Sequence, residues 1–209
     1  MRLVDENNLP RLARKLASKD KHLKIVLDKY GAPPLWSREP GFATLLQIIL
    51  EQQVSLASAK ACFLKLSNRI GSVTPHSVLK SSDSELKSDG FSRQKTAYAR
   101  HLAEALVNKN IDLNVLHTMS DLDVRAELIK LKGIGRWTSD IYSLMALGRP
   151  DIMPKGDIAL HTAWHKLSGE PKPDAERFLN IAERWRPYRS VAARLLWHFY
   201  LNERNGRLL

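Results

Sequence analysis

Apolar residues recur along this chain at three- and four-residue intervals, while strand-like alternation is nowhere convincing, so the pattern predicts an all-α protein. Leu9, Leu12, Ala13 and Leu16, then Leu23, Val26, Leu27 and Tyr30, predict helix on either side of an interruption near Ser18-Lys19-Asp20. Gly31-Ala32-Pro33-Pro34 stops this region, because proline lacks a donor and restricts the residue before it. From Phe42 to Gln53 the segment is apolar on most sides, with Leu45, Leu46, Ile48, Ile49 and Leu50 together, and reads as the buried spine of the fold. Further helices follow over Leu56–Arg69, ending at Gly71, and over Arg93–Val107, with short ones starting at Thr74-Pro75 and Ser82-Asp83. Ser120-Asp121 resembles a capped start. The remaining predicted helices run from Gly135 to Leu147, from Asp157 to Lys166, from Pro173 to Arg184 and from Tyr188 to Asn202.

Between two of these helices lies Leu131-Lys132-Gly133-Ile134-Gly135-Arg136-Trp137-Thr138, which reads as helix, tight hairpin, helix. Glycine tolerates positive φ and leaves backbone N–H groups uncovered. Those amides, the positive end of the following helix and the cations Lys132 and Arg136 together suit an anion. An ordinary helix connection ending in a glycine cap is the plainer reading of Gly-x-Gly alone.

Charge sharpens the picture. Lys and Arg number 33 against 22 Asp and Glu, a formal +11 that attracts polyanions, although ribosomal and membrane-surface proteins share this property. With hydrophobic residues at 44% and charged residues at 26%, the composition is that of a globular protein, long enough for one sizeable core or two small lobes. A single cysteine, Cys62, excludes an intramolecular disulfide, a four-cysteine zinc site and an iron–sulfur cluster within the chain. No apolar run reaches the roughly 18 residues of a membrane span, so no membrane association and a reducing, cytoplasmic setting are expected.

The hairpin with Pro154-Lys155-Gly156-Asp157 beyond it resembles the helix-hairpin-helix DNA glycosylases, most closely the 3-methyladenine DNA glycosylase II branch. Three further stretches match in order: Gly41-Phe42 to Ser55 with Glu51-Gln52-Gln53-Val54-Ser55, Gly90-Phe91-Ser92-Arg93-Gln94-Lys95, and Ala182 to Ser190. The resemblance implies two helical lobes with an active-site cleft between them. One lobe would span 41–148 with the hairpin at 131–138; the other would combine 1–40 and 149–209 within a single unit of 1–209. With only about forty residues before Gly41, the N-terminal β-rich domain of some relatives is not expected here.

It also implies roles. Asp157 falls at the family's catalytic carboxylate, where a negative charge stabilises the oxocarbenium-like sugar of the transition state. As a plain structural residue it would cap the next helix. Trp137 stands where relatives with lyase activity place a lysine, and indole cannot form a Schiff base, so a monofunctional enzyme is expected. Trp137 and Trp197, with Tyr142 beside the matching position Ile141, correspond to the base pocket, where aromatic faces attract cationic alkylated purines. Gln53, Ser55 and Arg93 correspond to the minor-groove probe and wedge, with Phe91 as an alternative wedge. Lys132, Gly133, Gly135, Arg136 and Thr138 would hold phosphate.

The expected partner is double-stranded DNA containing damaged bases, bound by a monomer. Asp157, His161 and His165 are spaced for one helix face, but His161-Thr162 lacks the glutamate of a zinc hydrolase, and no metal is expected there. A monovalent cation on the hairpin carbonyls is the one ion the resemblance implies. Two other functions stay open: a non-catalytic helix-hairpin-helix DNA-binding protein, and a glycosylase of the same fold for another damaged or mismatched base.

Overall fold

A computed structural model describes residues 3–205, and it is helical throughout, with no strand among those residues. The helices are α1 (Leu9–Ala17), α2 (Lys21–Tyr30), α3 (Phe42–Glu51), α4 (Leu56–Ile70), α5 (Pro75–Lys80), α6 (Asp83–Ser88), α7 (Arg93–Val107), α8 (Asp121–Ile129), α9 (Arg136–Met145), α10 (Ile158–Ser168), α11 (Ala175–Ala182) and α12 (Arg189–Asn205). Short 3-10 turns cover Leu113–Thr118 and Glu183–Trp185. The first of these was not foreseen, because Ile111, Leu113 and Leu116 are too few to set a period, although all three are buried. None of the helices described is long and apolar enough to cross a membrane.

Side-chain caps set most boundaries. Ser55, Ser92 and Ser120 accept the N–H three residues on, at the starts of α4, α7 and α8. Thr74 and Ser82 form reciprocal capping boxes with Ser77 and Glu85, each box satisfying two end donors that a helix leaves over. Asp174, rather than Pro173, begins α11 by accepting from Arg177 N.

The chain divides into two compact units, one comprising residues 38–142 and the other the residues on either side of it, with the division inside α9. In the central unit α3 packs on α4 and α7, while α5 and α6 lie on α7. Leu45, Leu46, Ile48, Ile49 and Leu50 are all buried, as the continuous apolar run requires.

In the terminal unit α12 packs on α1, α2 and α10. Asp20 caps α2 through His22 N and Leu23 N, and its other oxygen accepts the indole N–H of Trp185 at 2.8 Å. That bond joins α2 to the second 3-10 turn and makes Trp185 a core residue. Arg194, fully buried on α12, is held by backbone carbonyls: Nε donates to Leu35 O at 2.8 Å, Nη1 to Ser190 O at 3.1 Å and Nη2 to Leu144 O at 2.9 Å. Burial lowers its pKa to about 10, which leaves it charged at neutral pH.

His161 on α10 lies against Phe178 with ring centroids 4.8 Å apart. Burial pushes its pKa below the ordinary 6.5, with the Asp157 charge opposing that shift. The unfolded chain therefore binds a proton more readily than the folded one. Stability from the neutral ring is complete above pH 6.5 and is lost as the pH falls from there through the folded-state value. Thermal melting between about pH 7 and pH 5 should show a steeper decline in wild type than in His161→Phe; equal slopes would refute this account.

Candidate functional site

The hairpin is built on a glycine that nothing else can replace. Gly133 has φ +87°, and a Cβ there would lie 2.3 Å from Cγ of Tyr98, so the Tyr98 ring on α7 supports the turn from beneath. The neighbouring His101 accepts the Lys132 N–H at Nδ1, 3.3 Å away. Leu131 and Ile134 point into the core, and this leaves Lys132, Gly135 and Arg136 exposed at the N-terminus of α9. Helix-dipole charge and two cations thus coincide at one surface. Arg136 is less available than Lys132, because its Nε lies 3.7 Å from Asp140, whose other oxygen accepts from Arg125 at 2.8 Å.

Thr138 turns inward, and both it and Gly133 are gripped by a residue that the sequence did not single out. Gln52, at the C-terminal end of α3, donates from Nε2 to Gly133 O at 2.8 Å and to Thr138 Oγ1 at 2.9 Å. The carbonyl of Leu131 accepts from Ile134 N.

Gln53 and Ser55 are exposed in the turn between α3 and α4, and Arg93 is exposed at the first position of α7. Phe91 is different. It is only 3% exposed, so it cannot serve as a wedge in this conformation; its place next to the Ser92 cap turns the ring into the core. Tyr142 is likewise wholly buried, and its hydroxyl oxygen accepts Gly41 N–H at 2.9 Å, so it presents no ring face to a ligand. Trp137 is half-buried in the first turn of α9.

The terminal unit brings Asp157 and Trp197 together. Asp157 is the N-cap of α10, and its Oδ1 accepts Leu160 N at 3.0 Å and Trp197 Nε1 at 3.3 Å. At 8% exposure the carboxylate is held in a largely dry setting where its field is weakly screened. Capping and presentation of charge are therefore performed by the same side chain. Lys155, two residues before it, pairs with Glu176 of α11. His161 is turned toward Phe178, and His165 Nδ1 lies against the Glu170 carbonyl. Among the described residues, no group of three His, Cys, Asp or Glu side chains is placed to hold a metal ion.

Residues 46–187 match the family described as HhH-GPD superfamily base excision DNA repair protein. An alkylbase DNA glycosidase-like protein of Schizosaccharomyces pombe is 28% identical over 211 residues, covering 97% of this chain and 99% of its own. The structure of the 3-methyladenine DNA glycosylase of the same yeast, in complex with abasic DNA, superposes with a TM-score of 0.81 at 26% identity, covering 90% of this chain and 95% of that one. A DNA-3-methyladenine glycosidase of Bacillus halodurans gives a TM-score of 0.78 at 26% identity, covering 98% and 95%.

Proposed function

The chain belongs to the HhH-GPD superfamily of base excision DNA repair proteins, and from that premise we propose that it excises alkylated purines from double-stranded DNA by flipping the base and hydrolysing its N-glycosidic bond. The observation that carries this reading is the Asp157 carboxylate, capped into α10 and hydrogen-bonded by Trp197. A protein that only held DNA would need no more than the helix cap, which serine or asparagine supplies without a charge that repels phosphate.

As the bond between base and C1′ lengthens, positive charge gathers on the sugar, and Asp157 stabilises it. Water adds its hydroxyl to C1′, and its proton balances the departing base. No cofactor enters this reaction. Trp197, hydrogen-bonded to Asp157, offers an aromatic face to a cationic purine such as 3-methyladenine or 7-methylguanine, to which π faces are attractive, and Trp137 is the second aromatic candidate for that role. Gln53, Ser55 and Arg93 occupy the minor groove and the gap left by the flipped base. The enzyme acts as a monomer.

Trp137 at the lyase position and the pairing of Lys155 with Glu176 favour base release without strand scission. The test is incubation with duplexes that each carry one alkylated or deaminated base, with detection of the free base and of strand breaks. Release without a borohydride-trapped adduct is expected, and the strand should break only after hot alkali. A trapped adduct that disappears in Lys155→Ala would make Lys155 a nucleophile and the enzyme bifunctional.

The hairpin carries a second prediction. Lys132 is an exposed cation, whereas amides contact phosphate without being removable charges. Lys132→Ala should therefore lower the log–log salt slope of duplex binding by about one unit. An unchanged slope and affinity would place the DNA elsewhere.

A further inference from the structure

The turn joining α3 to α4 is fixed at almost every residue except the ones it exposes. Lys95 Nζ donates to Leu50 O at 2.5 Å, Arg38 grips Glu51 through both terminal guanidinium nitrogens, and Ser55 caps α4. Between those anchors Gln53 has φ +57°, in the left-handed region that residues other than glycine rarely occupy. Gln53 and Val54 are exposed there. A strained, exposed residue persists only where its surroundings over-determine it, and such places are often functional.

Gln52 is the anchor that reaches furthest. Both hydrogens of its side-chain amide are spent on the hairpin, one on the Gly133 carbonyl and one on the Thr138 hydroxyl, 81 and 86 residues away in sequence. We propose that Gln52 is a positioning residue that holds the exposed Gln53–Ser55 turn in fixed register with the phosphate-gripping hairpin, so that filling the gap beside a flipped base depends on it. The inference rests on the glycosylase reading above. Gln52 touches no DNA; it sets the offset between the phosphate grip and the turn.

The register matters only where a gap has to be filled. The experiment therefore compares affinity for a duplex carrying a tetrahydrofuran abasic analogue with affinity for the intact duplex of the same sequence. Wild type should prefer the abasic duplex. Gln52→Met, similar in size but without donors, should lower that preference about tenfold while changing intact-duplex affinity by no more than about twofold, since the hairpin keeps its own cations and amides. Thr138→Val, which removes one of the two acceptors, should lower the preference by about two- to fourfold and serves if Gln52→Met folds poorly.

A purely structural role is separated from positioning by the background. In a Gln53→Ala chain, adding Gln52→Met should cause no further loss, because the residue being positioned has gone. Undiminished preference in both Gln52→Met and Thr138→Val, or independent multiplication of the Gln52 and Gln53 losses, overturns the proposal. A wild type that neither prefers the abasic duplex nor releases any base sinks the glycosylase reading itself, and the register then has nothing to serve.

Discussion

Asp157→Asn is expected to remove nearly all base release while leaving the fold unchanged. The carboxylate oxygen that accepts Leu160 N and Trp197 Nε1 has a counterpart in the asparagine amide oxygen, and asparagine caps helices as well as aspartate does. Only the charge is lost. A unit charge about 4 Å from the cationic sugar, at an effective dielectric near 20, is worth about 4 kcal/mol. That corresponds to a fall of nearly a thousandfold in the single-turnover rate. Affinity for undamaged duplex should hold or rise slightly, since a charge that repels phosphate has gone. Retention of more than about a tenth of the wild-type rate would end the electrostatic account. Asp157→Ala separates the two roles of this residue, because it also removes the cap and should cost about 1 kcal/mol of stability.

The second large effect concerns stability. Arg194→Met should destabilise the protein by about 3 kcal/mol, because the carbonyls of Leu35 and Leu144 lose a buried donor at once, each loss costing about 1–3 kcal/mol, while Ser190 keeps only its bond within the helix. Removing a buried charge that burial already disfavours offsets part of the loss, so the low end of that range applies. A drop in melting temperature of about 6–12 °C follows for a chain of this length. A drop of less than about 2 °C would mean that the Leu35 and Leu144 carbonyls find other donors. Arg194→Lys should fall between the two, since an ammonium group cannot span three carbonyls on separate segments.

The helices and their limits were legible because short-range rules set them. Ser120 and Asp157 announce helix starts in the sequence and cap them in the structure, and the structure adds the same device at Ser55 and Ser92. The hairpin was legible for the same reason, as glycine at positive φ is a local requirement. What could not be read was long-range. Gln52 and Gln53 are adjacent and chemically identical, and only the left-handed backbone at Gln53 decides which amide faces the hairpin and which faces out. Arg194 reads as a surface cation on a basic chain until its three carbonyl partners are seen. For Phe91 and Tyr142, matching to a family gave a neighbourhood, while burial depends on the rotational phase of the local chain. An offset of one residue turns a helical side chain by about 100°, enough to move it from pocket to core.

The Trp197 indole on Asp157 ties together two properties that a protein engineer would want to vary separately. On the proposed role of Trp197 beside a flipped base, reshaping its surroundings to admit new lesions makes position 197 an obvious choice. Any replacement without the indole N–H also releases the carboxylate from its 3.3 Å bond, so gains in substrate range at this position bring a loose catalytic charge with them.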